Sequence, residues 1–362
     1  MFALSEAAER ETVSVPELIK KLKAIVEEAQ APDLRMQDEL AGREYDPAKP
    51  PPEQRVVYKM AFVPIATAGN IDCITAQAKY GKTAVINSII ASVLTSLESE
   101  ADTFTIQSHN PDSKALVHFD TEQCPADHWK QIDRAVARAK AKAKPNWLLS
   151  YCLTGMAAHE AWKTVKFGIE QAAKKFGGVH SVLIDGVADL VVDVNDPAEC
   201  NAFVAELHSI AIRHDCPIIC VIHFNPGSEK ARGHLGSQLE RKAETNLKLE
   251  KENETTVVYS AKQRNAPISK ETGPRFKWCN EQMMHVSCES AGVQKEDLKR
   301  QSAMSEIEDV FNGHPSMRYS DLKSTVKTVL TVTDRTAERR IQQWEHLKLI
   351  KKPFGSLYAK AF

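Results

Sequence analysis

From Val56 to about Ser287, short apolar runs alternate with longer stretches whose apolar residues recur every three or four positions. That alternation is the pattern of an α/β domain with a largely parallel sheet. Strands are expected at 71–75, 115–119, 147–151, 181–184, 217–222 and 256–261, and helices near 84–97, 125–143, 157–175 and 197–214. Runs such as Ser181-Val182-Leu183-Ile184 and Ile218 to Ile222 are apolar without a break, as strands covered on both faces are.

The flanks have a different texture. Residues 15–30 (VPELIKKLKAIVEEAQ) are apolar at helical spacing with one charged face, and 31–54 turn polar and proline-rich, like a semi-rigid linker. Residues 288–302 are polar and charged and are expected to form a second linker. Beyond them, helices are expected at 303–312, 319–330 and 334–346, the last opening at Thr333-Asp334 as cap candidates. The segment LKLIKKPFGSLY that follows suits a terminal β-ribbon, which completes a winged-helix pattern. The expected organisation is an arm and linker over 1–55, an α/β core over 56–287, a linker over 288–302 and a small domain over 303–362. No internal repeat is present.

Length, 362 residues, allows about two domains, and 43% hydrophobic with 26% charged content is ordinary for a globular protein. A net charge of -1 excludes a uniformly basic chain, so a nucleic-acid site would be a local patch. Eight cysteines are scattered with no C-x-x-C pair, several in apolar strand-like contexts, which suits reduced core residues. No apolar run reaches the ~18 residues of a membrane span, and Met1 to Leu18 lacks the basic-then-apolar order of a secretion signal. The expected compartment is the cytoplasm, with no membrane partner.

The chemistry begins at Ile71-Asp72-Cys73-Ile74-Thr75-Ala76-Gln77-Ala78-Lys79-Tyr80-Gly81-Lys82-Thr83. Strand, tight loop, Gly-Lys-Thr and helix follow in the order a phosphate loop needs. Backbone N–H groups over Ala78, Lys79, Gly81, Lys82, Thr83 and Ala84 would face the phosphates, Lys82 would reach the β- and γ-phosphates, and the Thr83 hydroxyl would ligate Mg²⁺. The first glycine of the G-x-x-x-x-G-K-[ST] pattern is Ala76 here.

Three further strand ends carry polar groups. Leu116-Val117-His118-Phe119-Asp120-Thr121-Glu122 ends in two carboxylates, and Glu122 is placed to orient an attacking water. Ser181 to Asp185 has the form of a Walker B strand, with Asp185 on the metal. Ile218 to Asn225 ends in His223, a candidate γ-phosphate sensor. A zinc site from His214, Cys216, Cys220 and His223 is disfavoured, because neighbouring strand side chains alternate faces.

Two basic segments follow. Lys230-Ala231-Arg232-Gly233-His234-Leu235-Gly236-Ser237 reads as a glycine-punctuated loop, with a helix from Gln238 to Thr245 after it. Such a loop wraps a phosphate backbone or lies free on the surface. A strand pair near 247–262 ends in Ser260-Ala261-Lys262-Gln263-Arg264-Asn265, where an arginine on a hairpin tip would either reach a neighbouring subunit or stay solvated.

Taken in order, these elements resemble the RecA-like P-loop ATPases, and among them the RepA-like hexameric replicative helicases of plasmids and phages. The resemblance covers roughly 56–287. It implies a RecA-like fold, a mostly parallel twisted sheet flanked by helices, with ATP and Mg²⁺ bound between subunits of a ring. It implies Glu122 as catalytic base, Lys82 and Thr83 on phosphates and metal, Asp185 on the metal, and His223 as sensor. Lys230, Arg232 and His234 fall in the segment similar to the Arg-Gly-Ser loop that touches single-stranded DNA. Lys262 and Arg264 match the Lys-x-Arg pair that acts in the adjacent subunit's site. Two departures stand out: Ala76, and a first DNA loop (Gly186 to Glu199) that carries Asp189, Asp193, Asp196 and Glu199 and so opposes phosphates. No primase-type zinc motif or polymerase motif precedes the core.

From Gly292 to Phe362, 13 Lys/Arg stand against 9 Asp/Glu. Arg335, Arg339 and Arg340 lie on the final helix, at least two on one face, and Lys351 is in the wing segment. Duplex DNA binding is the expectation for this module, with protein docking the alternative. The expected function is a ring-forming, DNA-dependent ATPase, a helicase that translocates on single-stranded DNA. Its rivals are a regulatory or loader ATPase that does not unwind and a non-catalytic nucleotide-binding scaffold.

Overall fold

The computed structural model describes residues 20, 36–37, 39–50, 54–95, 101–225, 231–288, 295–354 and 357–362. The chain divides into two compact units at Glu53/Gln54. Within the first, a helical turn ends at Ala41 and turns follow; the helix expected over 15–30 lies, but for Lys20, outside the described residues.

The second unit is built on a nine-stranded sheet. Its parallel part consists of β3 (Ile71–Ala76), β5 (Ala115–Asp120), β6 (Leu148–Cys152), β7 (Val179–Asp185), β8 (Ile218–His223) and β9 (Thr245–Glu252). Antiparallel β10 (Thr255–Gln263), β11 (Arg275–Cys279) and β12 (Met284–Cys288) extend one edge, giving the order β12-β11-β10-β9-β3-β8-β7-β5-β6. All six strand expectations hold to within two residues at either end. The helices are α1 (Lys82–Leu94), α2 (Pro125–Arg138), α3 (Ala158–Phe176), α4 (Pro197–Arg213) and α5 (Gly233–Lys242).

Strand alternation decides what each face buries. Ile71 and Cys73 of β3, Val117 and Phe119 of β5, and Val182 and Ile184 of β7 point to one face, beneath α3, α4 and α5. Ile74, Leu116 and Leu183 point to the other, beneath α1 and α2. The second face carries an addition that the apolar pattern did not reveal, a three-stranded sheet of β1 (Val56–Met60), β2 (Val63–Thr67) and β4 (Ile106–Ser108). These strands run only three to five residues, and β4 joins the β1–β2 hairpin from about forty residues further on, so periodicity does not expose them. The fold is therefore RecA-like: a large, mostly parallel sheet between two layers.

A small C-terminal domain has its own core. It contains α6 (Lys295–Phe311), β13 (Met317–Arg318), α7 (Tyr319–Leu330), α8 (Asp334–His346), β14 (Ile350–Phe354) and β15 (Leu357–Lys360), with sheet order β13-β15-β14. Ile307, Phe311, Leu322, Val326, Ile341 and Trp344 are buried together. Thr333 caps α8, its hydroxyl accepting from the Thr336 N–H. The linker expected over 288–302 is corrected: α6 already runs from Lys295. Its first turns are good helix formers without an apolar stripe, so they read as linker. Lys59 of β1 reaches this domain, with Nζ 2.8 Å from Asp309 Oδ2 and 3.0 Å from Ser305 Oγ on α6.

Candidate active site

Sheet register gathers the polar strand ends. Ala76 pairs with His223, Val221 with Asp185, and Asp185 with Asp120, so four adjacent strands end at one level at the carboxyl edge. That edge is where open α/β sheets hold ligands.

The phosphate loop runs from β3 into α1. Ala76 is a buried strand residue, so its place needs no glycine. Left-handed backbone falls instead on Lys79 (φ 65°) and Gly81 (φ 88°). Gly81 is required twice over, since a Cβ there would stand 2.6 Å from Cε2 of Phe276. No side chain caps α1 at Gly81, which leaves its N-terminal amides for an anion. Ala78 and Lys79 are exposed on the loop; Thr83 and Ala84 form the first turn of α1.

Lys82 is buried, and its Nζ lies 2.9 Å from His223 Nδ1 and 3.4 Å from the Gln77 carbonyl. On the far side of the ring, His223 Nε2 lies 3.0 Å from Glu122 Oε1. An ammonium only donates, so Nδ1 accepts and Nε2–H donates to Glu122. Burial lowers the Lys82 pKa, while Glu122 and Asp185 raise it in part. The hydrogen bond from His223 holds the Glu122 carboxyl below its ordinary range.

Asp185 is 2% exposed, and burial, with Glu122 and Asp120 near, pushes its carboxyl up to about 7. A buried carboxylate beside two others and a threonine hydroxyl on α1 is a donor set that fits a hard divalent cation shared with phosphates.

A second network, absent from the sequence reading, fixes the turn that carries Glu122. Asp120 Oδ1 accepts from the N–H groups of Glu122 and Gln123, both at 3.0 Å. Its Oδ2 lies 3.1 Å from His128 Nδ1, His128 Nε2 lies 3.1 Å from Ser150 Oγ, and Ser150 Oγ lies 2.8 Å from His118 Nδ1. Donors and acceptors run one way, from His118 through Ser150 and His128 to Asp120. Burial alone would raise Asp120, but His128 and the two backbone donors more than offset it and keep the carboxyl below its ordinary value.

The cleft over these groups holds about 290 Å³ and is lined by Lys79, Gly81, Lys82, Thr83, Glu122, Asp185 and His223. It also includes Asn87, Arg134, Arg138, Trp278, Met284 and His285, none of which the sequence reading selected. Arg134 and Arg138 follow Glu122 on α2 one turn apart, the only signal that would have found them. For Trp278 and His285 there was none, because their hairpin meets the loop only in three dimensions.

Other expected residues lie elsewhere. Residues 253–254 form the turn between β9 and β10, whereas Lys262 lies near the end of β10 and Arg264 in the turn after it, which Ser260 and Ile268 close by a backbone hydrogen bond. They sit at the opposite edge of the sheet: Arg264 Nη1 lies 3.4 Å from Asn70 Oδ1, just before β3 begins. A six-residue strand separates them from their own phosphate loop, roughly 20 Å at about 3.3 Å per residue. Lys262 Nζ donates to the carbonyls of Glu240 (2.9 Å) and Arg241 (2.7 Å), which caps the C-terminus of α5.

The glycine-punctuated segment is also corrected. Lys230 lies outside the described residues, but α5 begins at Gly233, not Gln238, and places His234 and Ser237 on the helix. Gly236 permits this, since a Cβ there would lie 2.6 Å from the Ala231 carbonyl carbon. Arg232 is exposed and shares a cleft of about 560 Å³ with Asp189 and Asp193. In the acidic loop, Asp196 accepts from the N–H groups of Ala198 and Glu199, and Glu199 accepts from those of Val192 and Asp193, so these acids hold the backbone. In the C-terminal domain Arg335, Arg339 and Lys351 are exposed, whereas Arg340 Nη1 lies 3.5 Å from Glu306 Oε1 of α6.

A lysine, a threonine, a Walker-type aspartate and a strand-end glutamate over one glycine-closed loop define a P-loop nucleotide-binding protein of the ATPase class. The family model described as an AAA domain matches residues 30–229, more than half of the chain, and the chain belongs to that family. No curated protein matches it. Among the described residues no helix is long and apolar enough to cross a membrane.

Proposed function

We propose that this chain is a DNA-stimulated ATPase that assembles as a ring and moves along single-stranded DNA, as replicative helicases do. The observation that carries the ATPase reading is the convergence of Lys82, His223, Glu122 and Asp185 at one sheet edge. Lys82 and the loop amides would bind the β- and γ-phosphates of ATP. Thr83 and Asp185 would hold Mg²⁺, which supplies charge neutralisation on the phosphates. Glu122 orients and deprotonates the attacking water, and His223 links that carboxylate to the lysine.

Arg264 supports the ring. It lies at the edge opposite its own phosphate loop, which suits a role at a neighbour's γ-phosphate, as the in-trans arginine of P-loop enzymes. Three helices and a β-ribbon in the C-terminal domain fit a winged helix, with Arg335 and Arg339 on the exposed side of its last helix and Lys351 on the wing. Duplex DNA is the partner this suits, in the cytosol.

The second reading is a loader or regulator that binds DNA without unwinding it. One observation favours it: Arg232 shares one cleft with Asp189 and Asp193, a poor setting for a phosphate backbone. ATP hydrolysis with and without single-stranded DNA, with Lys82→Ala as blank, tests the proposal, and strand displacement on a forked duplex separates the two readings. Stimulation by single strands and unwinding are expected. Turnover raised only by duplex would favour the loader, and no turnover would leave a binding scaffold.

A further inference from the structure

Arg264 is exposed on a turn, where a long cationic side chain ordinarily samples many rotamers. Here both of its ends are held. Its backbone N–H donates to the Glu244 carbonyl at 3.1 Å. Its guanidinium donates to Asn70 Oδ1 and to the Lys242 carbonyl, each at 3.4 Å. On the residue before it, the Gln263 amide donates to the Pro64 carbonyl of β2 at 2.7 Å.

These anchors converge on one buried carboxylate. Glu244 stands in the link between α5 and β9 and is 0% exposed. Its Oε2 accepts from the Thr67 N–H at 2.9 Å and from the Thr67 hydroxyl at 2.7 Å. Its Oε1 accepts from Asn265 Nδ2 at 3.3 Å and from Gln54 Nε2 at 3.4 Å. Thr67 Oγ1 in turn accepts from Asn70 Nδ2 at 2.8 Å, which turns the Asn70 carbonyl oxygen toward Arg264. One path thus runs from the carboxylate through Thr67 and Asn70 to the guanidinium. A second runs through Asn265 and the Glu244 carbonyl to the Arg264 backbone. Burying a carboxylate is costly, and an apolar side chain would close the same junction without a charge to desolvate. What four directed hydrogen bonds add is alignment of β2, the start of β3 and the turn after β10.

We propose that Glu244 is the positioning residue for Arg264, holding the turn so that the guanidinium is presented to a neighbouring subunit. It acts through Thr67, Asn70 and Asn265, and does not line the nucleotide cleft. The inference rests on the reading that Arg264 serves a neighbour's site. It adds the group that aims the arginine.

The test measures ATP turnover and the Kd for ATP in the full chain and its Glu244→Gln, Thr67→Val and Arg264→Ala variants, in each double with Arg264→Ala, and in mixtures with Glu122→Gln. Glu244→Gln keeps the size but sets an amide donor against donors; Thr67→Val keeps the carboxylate and cuts its path to Asn70. Turnover is expected to fall about tenfold in the first and about threefold in the second, with the Kd for ATP within about twofold. Neither double should be slower than Arg264→Ala alone, because a misaimed arginine and a missing one affect the same step. Mixing Glu244→Gln with Glu122→Gln should restore part of the activity. Normal turnover in Glu244→Gln beside a slow Arg264→Ala, losses that multiply in the doubles, or a mixture no better than its parts would overturn the positioning role. Should Glu244→Gln not fold, Thr67→Val and its double decide by the same criteria. Normal turnover in Arg264→Ala would overturn the in-trans reading itself, so the two failures are distinct.

Discussion

The imidazole of His223 stands 3.0 Å from the carboxylate of Glu122, and its other nitrogen holds Lys82 at 2.9 Å. One ring from β8 thus joins the lysine proposed to meet the γ-phosphate to the carboxylate proposed to activate water. A phosphate arriving at Lys82 competes for the ammonium that His223 now accepts from, and so acts on Glu122 through a single side chain.

Removal of that ring has a defined pH signature. Glu122 must be ionised to accept a proton, and the His223 hydrogen bond keeps its pKa low. His223→Ala is expected to lower kcat about tenfold or more, since hydrogen bonds to charged groups contribute ~1.5–3 kcal/mol. It is also expected to move the acid limb of the kcat profile to higher pH. A pH–rate series on both proteins checks this; an unmoved acid limb would separate His223 from Glu122.

The chain from His118 to Asp120 should affect rate without affecting binding. His128→Ala removes a donor from Asp120, whose other oxygen holds the backbone of the Glu122 turn. Turnover is expected to fall roughly tenfold with the Kd for ATP nearly unchanged, because misplacing a catalytic group costs rate. A parallel loss of ATP binding would mean that the network supports the fold alone.

Arg264 is expected to act on a neighbouring subunit. Arg264→Ala should bind ATP and fail to turn it over. Mixing it with Glu122→Gln should restore part of the activity, since one protein supplies an intact site and the other an intact arginine. An Arg264→Ala protein with normal turnover, or a mixture no better than its parts, would remove the in-trans role.

Two buried imidazoles set the acid side of stability. Burial first of all lowers His118 to about 4 and His180 to about 3. An unfolded chain takes up these protons near pH 6.5, whereas the folded one does so only well below. Their contribution is therefore complete above about pH 6.5 and is lost as pH falls toward 4 and then 3. The raised carboxyl of Asp185 works the other way over the same range, so the comparison is between proteins: from pH 7 to pH 5, His180→Gln should lose less stability than the parent chain in denaturant unfolding, and an identical slope in the variant would count against it.

The sequence by itself determined the alternation of strands and helices, the Gly-Lys-Thr turn and the polar ends of β5, β7 and β8. Each of these is local: a buried strand needs an unbroken apolar run, and a phosphate loop needs left-handed backbone at Gly81. Only the tertiary structure decided which strand ends meet. His223 reaches both Lys82 and Glu122 because β8 lies between β3 and β7, an order set by packing and not by periodicity. It also placed Arg264 at the far edge, started α5 at Gly233 and brought Trp278 over the loop from nearly two hundred residues away. Such contacts depend on side-chain volume and sheet register across the whole chain, which no window of neighbouring residues contains.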